Sequence, residues 1–190
     1  MSNRYPAGFT DLLEAADGPV LDNGAGGRKH PKIVGLEYVP HPNNSVQADG
    51  LNLPFRDESF ALVLSQAVLE HVTDPQRYVD EVFRVLRPGG TMWIEAAFLQ
   101  PVHQAPWHFF NITPFGLAHL CQRFDVVAVE QFGSIVEQWE WIGREAGADE
   151  ALTASERGAM RRMLAKVEAA MTPERRWNTA SGVRLIGRKP

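Results

Sequence analysis

The chain has 190 residues, 44% of them hydrophobic and 22% charged, with a formal net charge of −4. That length suits a single domain spanning residues 1–190, and the acidic balance disfavours nucleic acid or an anionic membrane as partner. The lone cysteine, Cys121, excludes an intrachain disulfide and a cysteine metal cluster.

No apolar run approaches the roughly 20 residues that a membrane helix needs. Met1 to Thr10 lacks the apolar core of a signal peptide, so a cytoplasmic protein is expected. The elements then alternate along the chain. Phe9 to Ala16 reads as a short helix with Thr10 as its cap. Short apolar runs at 19–23, 33–37 and 46–49 read as the first three strands. Phe60 to Ser65 is apolar almost throughout, as a central buried strand should be. Thr73-Asp74-Pro75 opens the clearest helix, since Thr73 or Asp74 can cap it and Pro75 suits its first turn. Val79, Val82, Phe83 and Leu86 fall on one stripe of that helix, and Pro88-Gly89-Gly90 stops it. A strand over Thr91–Phe98, a helix over 113–122 and a strand over Phe124–Glu130 follow. A helical insert occupies about 134–177, and Gly182–Arg188 reads as a last strand.

Such alternation implies a doubly wound α/β fold, with a mostly parallel sheet and helices on both faces. Ligands of such sheets bind outside the carboxyl ends of the strands. Val20-Leu21-Asp22-Asn23-Gly24-Ala25-Gly26-Gly27 fits that rule. An apolar run ends in a carboxylate and breaks into glycines, which let main chain approach a ligand closely. Only Ala25 to Lys32 separate this turn from the next strand, and Pro31 interrupts them. A parallel crossover usually needs a dozen residues or more, so the first crossover helix is one turn at best. The helix N-terminus as an anion site then mostly lapses. Arg28 or Lys29 is a candidate for the missing positive charge, the plainer expectation being that both are solvated.

Four segments occur in a telling order: Asp22 to Gly26, Asp49 to Ala61, Leu69-Glu70-His71-Val72, and Leu86-Arg87-Pro88-Gly89-Gly90. Together they resemble the class I S-adenosylmethionine-dependent methyltransferases, in the small-molecule branch, over roughly residues 19 to 131. Ala61 departs from that pattern, which has an acid there. The resemblance implies a Rossmann-like, seven-stranded sheet whose last strand is antiparallel, and S-adenosylmethionine as cofactor. It implies that the Gly24-Ala25-Gly26 backbone faces the cofactor's amino-acid end while Asp22 orders the turn. Glu37, followed by Tyr38, would accept the ribose hydroxyls, a carboxylate having lone pairs enough for both. Asp49 would accept from the adenine amino group, with Gly50 and Leu51 against the ring. Carbonyls of Ser65 and Gln66 would meet the cofactor's amino group. For Glu37 the alternative is a solvated strand end, and for Asp49 an ordinary turn before Gly50.

The second constellation runs from Glu95 to Pro114, after the fifth strand. It carries His103, His108 and the aromatics Trp107, Phe109 and Phe110. Methyl transfer to oxygen or nitrogen releases a proton, and histidine is the side chain suited to take it. His103, His108 and the more distant His71 are the candidate bases, His103 first because it lies nearest the strand end. No metal site is expected, although Glu95 with the histidines is imaginable. Trp107, Phe109 and Phe110 are candidates for the acceptor pocket or for core packing. Trp139 and Trp141, in the insert, are candidates for the acceptor pocket or a subunit contact. His30, His41 and His119 read as surface or packing residues.

The favoured function is methyl transfer to oxygen or nitrogen of a small-molecule acceptor, with homo-oligomerisation left open. The alternative is a catalytically inactive module of the same fold that binds or regulates. A nicotinamide oxidoreductase fits less well, because Gly24-Ala25-Gly26-Gly27-Arg28-Lys29 lacks the third glycine of that fingerprint.

Overall fold

Seven strands make one sheet: β1 (Val20–Asn23), β2 (Ile33–Glu37), β3 (Val46–Gln47), β4 (Phe60–Gln66), β5 (Leu86–Ala97), β6 (Asp125–Phe132) and β7 (Gly182–Arg188). The computed structural model describes residues 4–190. The strand order is β3-β2-β1-β4-β5-β7-β6. Strands β1 to β5 pair in parallel, and β7 inserts antiparallel between β5 and β6. The central strands β1 and β4 are buried almost throughout, which explains their unbroken apolar sequences.

Helices α2 (Pro75–Val85) and α3 (Pro114–Leu120) cover one face. Tyr78, Val82 and Leu117 pack there on Leu21, Val63 and Met92. On the other face α1 (Phe9–Ala15) sets Phe9 and Leu13 against Leu62, Leu64 and Trp93. Phe9 is fully buried, stacks on Tyr5 and meets Trp93 edge-on. Burying such a side chain contributes about 1.5–3 kcal/mol. Helices α4 (Ile135–Glu145), α5 (Ala148–Ala151), α6 (Ala154–Ala169) and α7 (Pro173–Asn178) form the insert before β7.

Several boundaries differ from the sequence reading. Gly8, at φ 84°, is the N-cap of α1, and Thr10 lies inside the helix. Asp74 does cap α2, its carboxylate accepting from the Arg77 N–H at 3.0 Å. That helix ends at Val85, and Leu86 already pairs with Phe60 as β5 begins. Pro88-Gly89-Gly90 therefore lies inside β5, where the β4–β5 register shifts. β3 stops at Gln47, which leaves Asp49 in the following turn. Residues 24–32 form turns and contain no helix, because the span is too short for a helical crossover. Among the described residues, no helix is long and apolar enough to cross a membrane.

Candidate active site

The carboxyl ends of β1, β2, β4 and β5 meet at one edge of the sheet, where the glycine turn follows β1. Three of its N–H groups are directed at β2. Gly24 and Ala25 donate to the Leu36 carbonyl at 3.0 and 2.9 Å. The Gly26 N–H donates to the Glu37 carboxylate at 2.7 Å. Gly24 holds φ +92°, and a Cβ there would sit 2.3 Å from the Val68 side chain. The glycine at this position is thus required by its own neighbour and by its backbone angle.

Beneath the turn, Asp22 and Arg28 form a buried ion pair. The guanidinium reaches both Asp22 oxygens at 2.8 and 2.9 Å, Gln66 Oε1 at 2.7 Å and the Gly24 carbonyl at 3.1 Å. Their side chains are 0% and 6% exposed, so Arg28 is not the solvated residue the sequence suggests, whereas Lys29 is exposed. Burial pushes the Asp22 carboxyl up, and Arg28 opposes that shift. Tyr5 lies against Arg28 with its ring centroid 5.4 Å from the guanidinium carbon.

The other expected cofactor residues surround this turn. Glu37, half-buried at the tip of β2, also accepts the Tyr38 N–H at 2.9 Å, and Tyr38 itself is exposed. Asp49 accepts the Leu51 N–H at 2.8 Å, the turn-forming contact, which occupies one carboxylate oxygen. A Cβ on Gly50 would meet the Tyr78 ring at 2.6 Å. Ser65 is buried and hydrogen-bonds to the Tyr78 hydroxyl at 2.8 Å, and that hydroxyl donates to the Asn23 carbonyl at 3.1 Å. Asn23 Nδ2 is buried with no partner.

Three histidines cluster at the ends of β4 and β5. The ring centroids of His71 and His103 are 5.0 Å apart, and those of His103 and His108 4.3 Å. His71 closes a 3-10 turn over Leu69–His71. Its Nδ1 lies 2.7 Å from the Trp107 carbonyl, and His103 Nδ1 lies 3.0 Å from the Pro101 carbonyl. A carbonyl only accepts, so each ring carries a proton on Nδ1, and Nε2 is the nitrogen left to accept. His108 differs. Its Nδ1 accepts the His103 backbone N–H at 3.1 Å, and its Nε2 faces the Phe110 carbonyl and Asn111 Oδ1. Both of its nitrogens are engaged, which removes it from the candidate bases and makes it a brace for the loop. Glu95 is also committed elsewhere, to Arg184 at 2.7 Å and the Trp93 indole at 3.1 Å.

The loop over 98–113 is tied down on two sides. Phe109 N–H donates to the Glu70 carbonyl at 2.8 Å, and Gln138 of α4 donates to the Leu99 carbonyl at 2.6 Å. Between this loop and α4 runs a groove of about 590 Å³, lined by Leu99, Pro101, Asn111, Gln138 and Ile142 among others. Trp141 of α4 comes within 5.3 Å of the His103 ring, whereas Trp139 points to solvent. Trp107, Phe109 and Phe110 are exposed, so core packing does not account for them.

A family described as a methyltransferase domain matches residues 28–94. An uncharacterized methyltransferase of Mycolicibacterium vanbaalenii is 47% identical over 106 residues, 46% of this chain and 41% of that protein. The chain thus spans less than half the length of the curated relatives it matches. A SAM-dependent methyltransferase from Methanosarcina mazei superposes with a TM-score of 0.58 at 18% identity, over 98% of each chain. Residues 28–94 thus match a methyltransferase domain, and the chain has the fold of the solved methyltransferases. Haemonchus contortus phosphoethanolamine N-methyltransferase 2, solved with S-adenosyl-L-methionine, shares this methyltransferase fold at a TM-score of 0.55 and 15% identity, over 95% of this chain and 52% of that one.

Within this methyltransferase fold, sequence reasoning missed two buried acid contacts. The pairing of Asp22 with Arg28 was hidden because the turn between them has no periodicity. Glu70 sits in Leu69-Glu70-His71-Val72, where its histidine neighbour drew the attention. Its side chain is 1% exposed, and burial pushes its carboxyl up.

Proposed function

We propose that this chain transfers a methyl group from S-adenosylmethionine to an oxygen or nitrogen of a small-molecule acceptor. The observation that carries this reading is the Glu37 carboxylate at the tip of β2, closed onto the Gly26 N–H of the glycine turn. A carboxylate so placed keeps lone pairs for a ribose diol. Asp49 and Leu51, in the turn after β3, would meet the adenine on this reading. The carbonyls of Ser65 and Gln66, at the end of β4, would meet the amino-acid end on this reading. S-adenosylmethionine supplies an electrophilic methyl on a sulfonium. The residues of the chain bind it, position the acceptor and take up a proton.

The groove between the 98–113 loop and α4 supports an acceptor of small-molecule size, since ligand pockets commonly measure 300–1,000 Å³. His103 is tied to its wall through the Pro101 carbonyl, and its Nε2 suits a general base. His71 presents the same tautomer nearby. Much of the acceleration of an in-line displacement comes from positioning, which the anchored loop provides. A thermal-shift comparison of S-adenosylhomocysteine with NAD tests the cofactor. Stabilisation by the former alone is expected, and stabilisation by NAD alone overturns the reading. Metabolite profiling with a labelled methyl donor then identifies the acceptor.

A further inference from the structure

We infer that Glu70, His71 and His103 form a binding site for one divalent transition-metal ion. One ligand atom from each of these residues lies within 4.8 Å of the others. Both imidazoles donate Nδ1–H to a backbone carbonyl, His71 to Trp107 and His103 to Pro101. Metal-ligating histidines make this same outer contact, which fixes the tautomer and aims the remaining lone pair. The second, independent observation is Glu70. Its side chain is 1% exposed, and its Oε2 is buried without a hydrogen-bond partner. A buried, unpaired carboxylate oxygen is costly. A metal ion held by both imidazoles would give that oxygen the partner it lacks.

The ligand set selects the ion. Two imidazoles and one carboxylate suit Zn²⁺, Fe²⁺ and neighbouring first-row ions, whereas Mg²⁺ and Ca²⁺ favour oxygen ligands alone. Bonds of about 2.0–2.2 Å require the three atoms to draw together, which a small shift of the loop carrying His103 and Pro101 as a unit can achieve. Three protein ligands leave a position for water or a substrate oxygen, as in catalytic zinc sites. The spacing of His103 and His108 along the chain gives no hint of this, because two of the three ligands, Glu70 and His71, come from the turn after β4. The inference rests on the methyl-transfer reading only for the ion's purpose, which is to hold an acceptor oxygen. An ion and a proton compete for His103 Nε2, so with the ion bound His103 is a ligand rather than a free base.

Calorimetry of Zn²⁺ into chelator-stripped, tag-free full chain tests the site. One equivalent should bind, and His103→Ala and Glu70→Gln should each weaken it at least tenfold, with His119→Ala, on the exposed side of α3, unchanged. Co²⁺ should give visible d–d bands that both ligand variants lose. If circular dichroism shows Glu70→Gln unfolded, His71→Ala takes its place. No stoichiometric binding by the wild type overturns the inference, as does wild-type affinity in the folded ligand variants. S-adenosylhomocysteine binding to the metal-free chain is read separately. A chain that binds that ligand but takes up no Zn²⁺ overturns the metal site alone, and one that takes up Zn²⁺ but does not bind that ligand overturns the methyl-transfer reading alone.

Discussion

The Glu37 carboxylate accepts the Gly26 N–H at 2.7 Å, linking the tip of β2 to the turn after β1. Its other oxygen accepts the Tyr38 N–H. Each oxygen keeps a lone pair for a further donor. Glu37→Ala should therefore weaken S-adenosylhomocysteine binding roughly tenfold or more, since hydrogen bonds to a charged group contribute about 1.5–3 kcal/mol. The residue is half-buried at a strand end, so the fold should persist. Calorimetry on the folded variant decides, and an unchanged affinity removes Glu37 from the cofactor site.

Gly24 makes a different prediction from the one its motif suggests. A side chain there meets Val68 before it meets any ligand, and φ +92° strains it further. Gly24→Ala should destabilise the protein by about 1–3 kcal/mol through overpacking as well as weaken cofactor binding. Adding Val68→Ala should recover part of the stability, because it relieves the contact and leaves the backbone strain. Urea melts of the single and double variants measure this. No recovery in the double variant would leave backbone strain as the sole cause.

The Asp22–Arg28 pair is buried at both ends. Removing one partner strands the other charge, at a cost of about 3–5 kcal/mol. Arg28→Met should show that loss, and Asp22→Asn combined with Arg28→Met should be less destabilised than Arg28→Met alone. Chemical denaturation of the set tests the order. Equal stability of the two would show that Asp22 is not left charged and buried.

Much of the frame was legible because it follows from periodicity and end signals. β2 and β7 fall where their apolar runs place them, and Asp74 caps α2 as its position before Pro75 implies. The entry to β5 was not legible. Pro88-Gly89-Gly90 reads as a helix stop, but Leu86 is already paired with Phe60 across a register shift, a tertiary fact with no local mark. The histidines were legible as a set and not as individuals. That His103 keeps a nitrogen free while His108 does not depends on carbonyls of Pro101 and Phe110 brought round by the loop. Glu70 was not legible as a site residue, because its burial comes from the closure of residues far along the chain.

Glu81 gives a pH dependence. Its hydrogen bond from Arg84 is the main cause that holds its carboxyl below the ordinary 4.5, and the Leu53 N–H adds to it. The folded value is the depressed one. The stabilisation is therefore present above about pH 4.5 and is lost as pH falls through the folded value. Glu81→Gln should be less stable than the wild type at neutral pH, and the gap should close on acidification. Thermal melts across that range check this. A gap that persists in acid would assign the effect to packing.

His103 carries the chemical prediction. Its Nδ1–H is held by the Pro101 carbonyl, its backbone N–H by His108, and its ring lies beside Trp141. Position and tautomer are thus set before any acceptor arrives. A positioned base contributes typically 10²–10⁴-fold to rate, so His103→Ala should lower turnover by that order. Cofactor affinity should hardly change, since the contacts expected for the cofactor lie around β1, β2 and the turn after β3. The pH–rate profile should lose the limb that a histidine base imposes. His108→Ala should act differently, through the loop it braces, by raising KM more than it lowers kcat. If His103→Ala keeps near-normal turnover, proton uptake falls to His71 or to positioning alone. Single-turnover kinetics with saturating cofactor separate these cases, because they read the transfer step apart from binding and release.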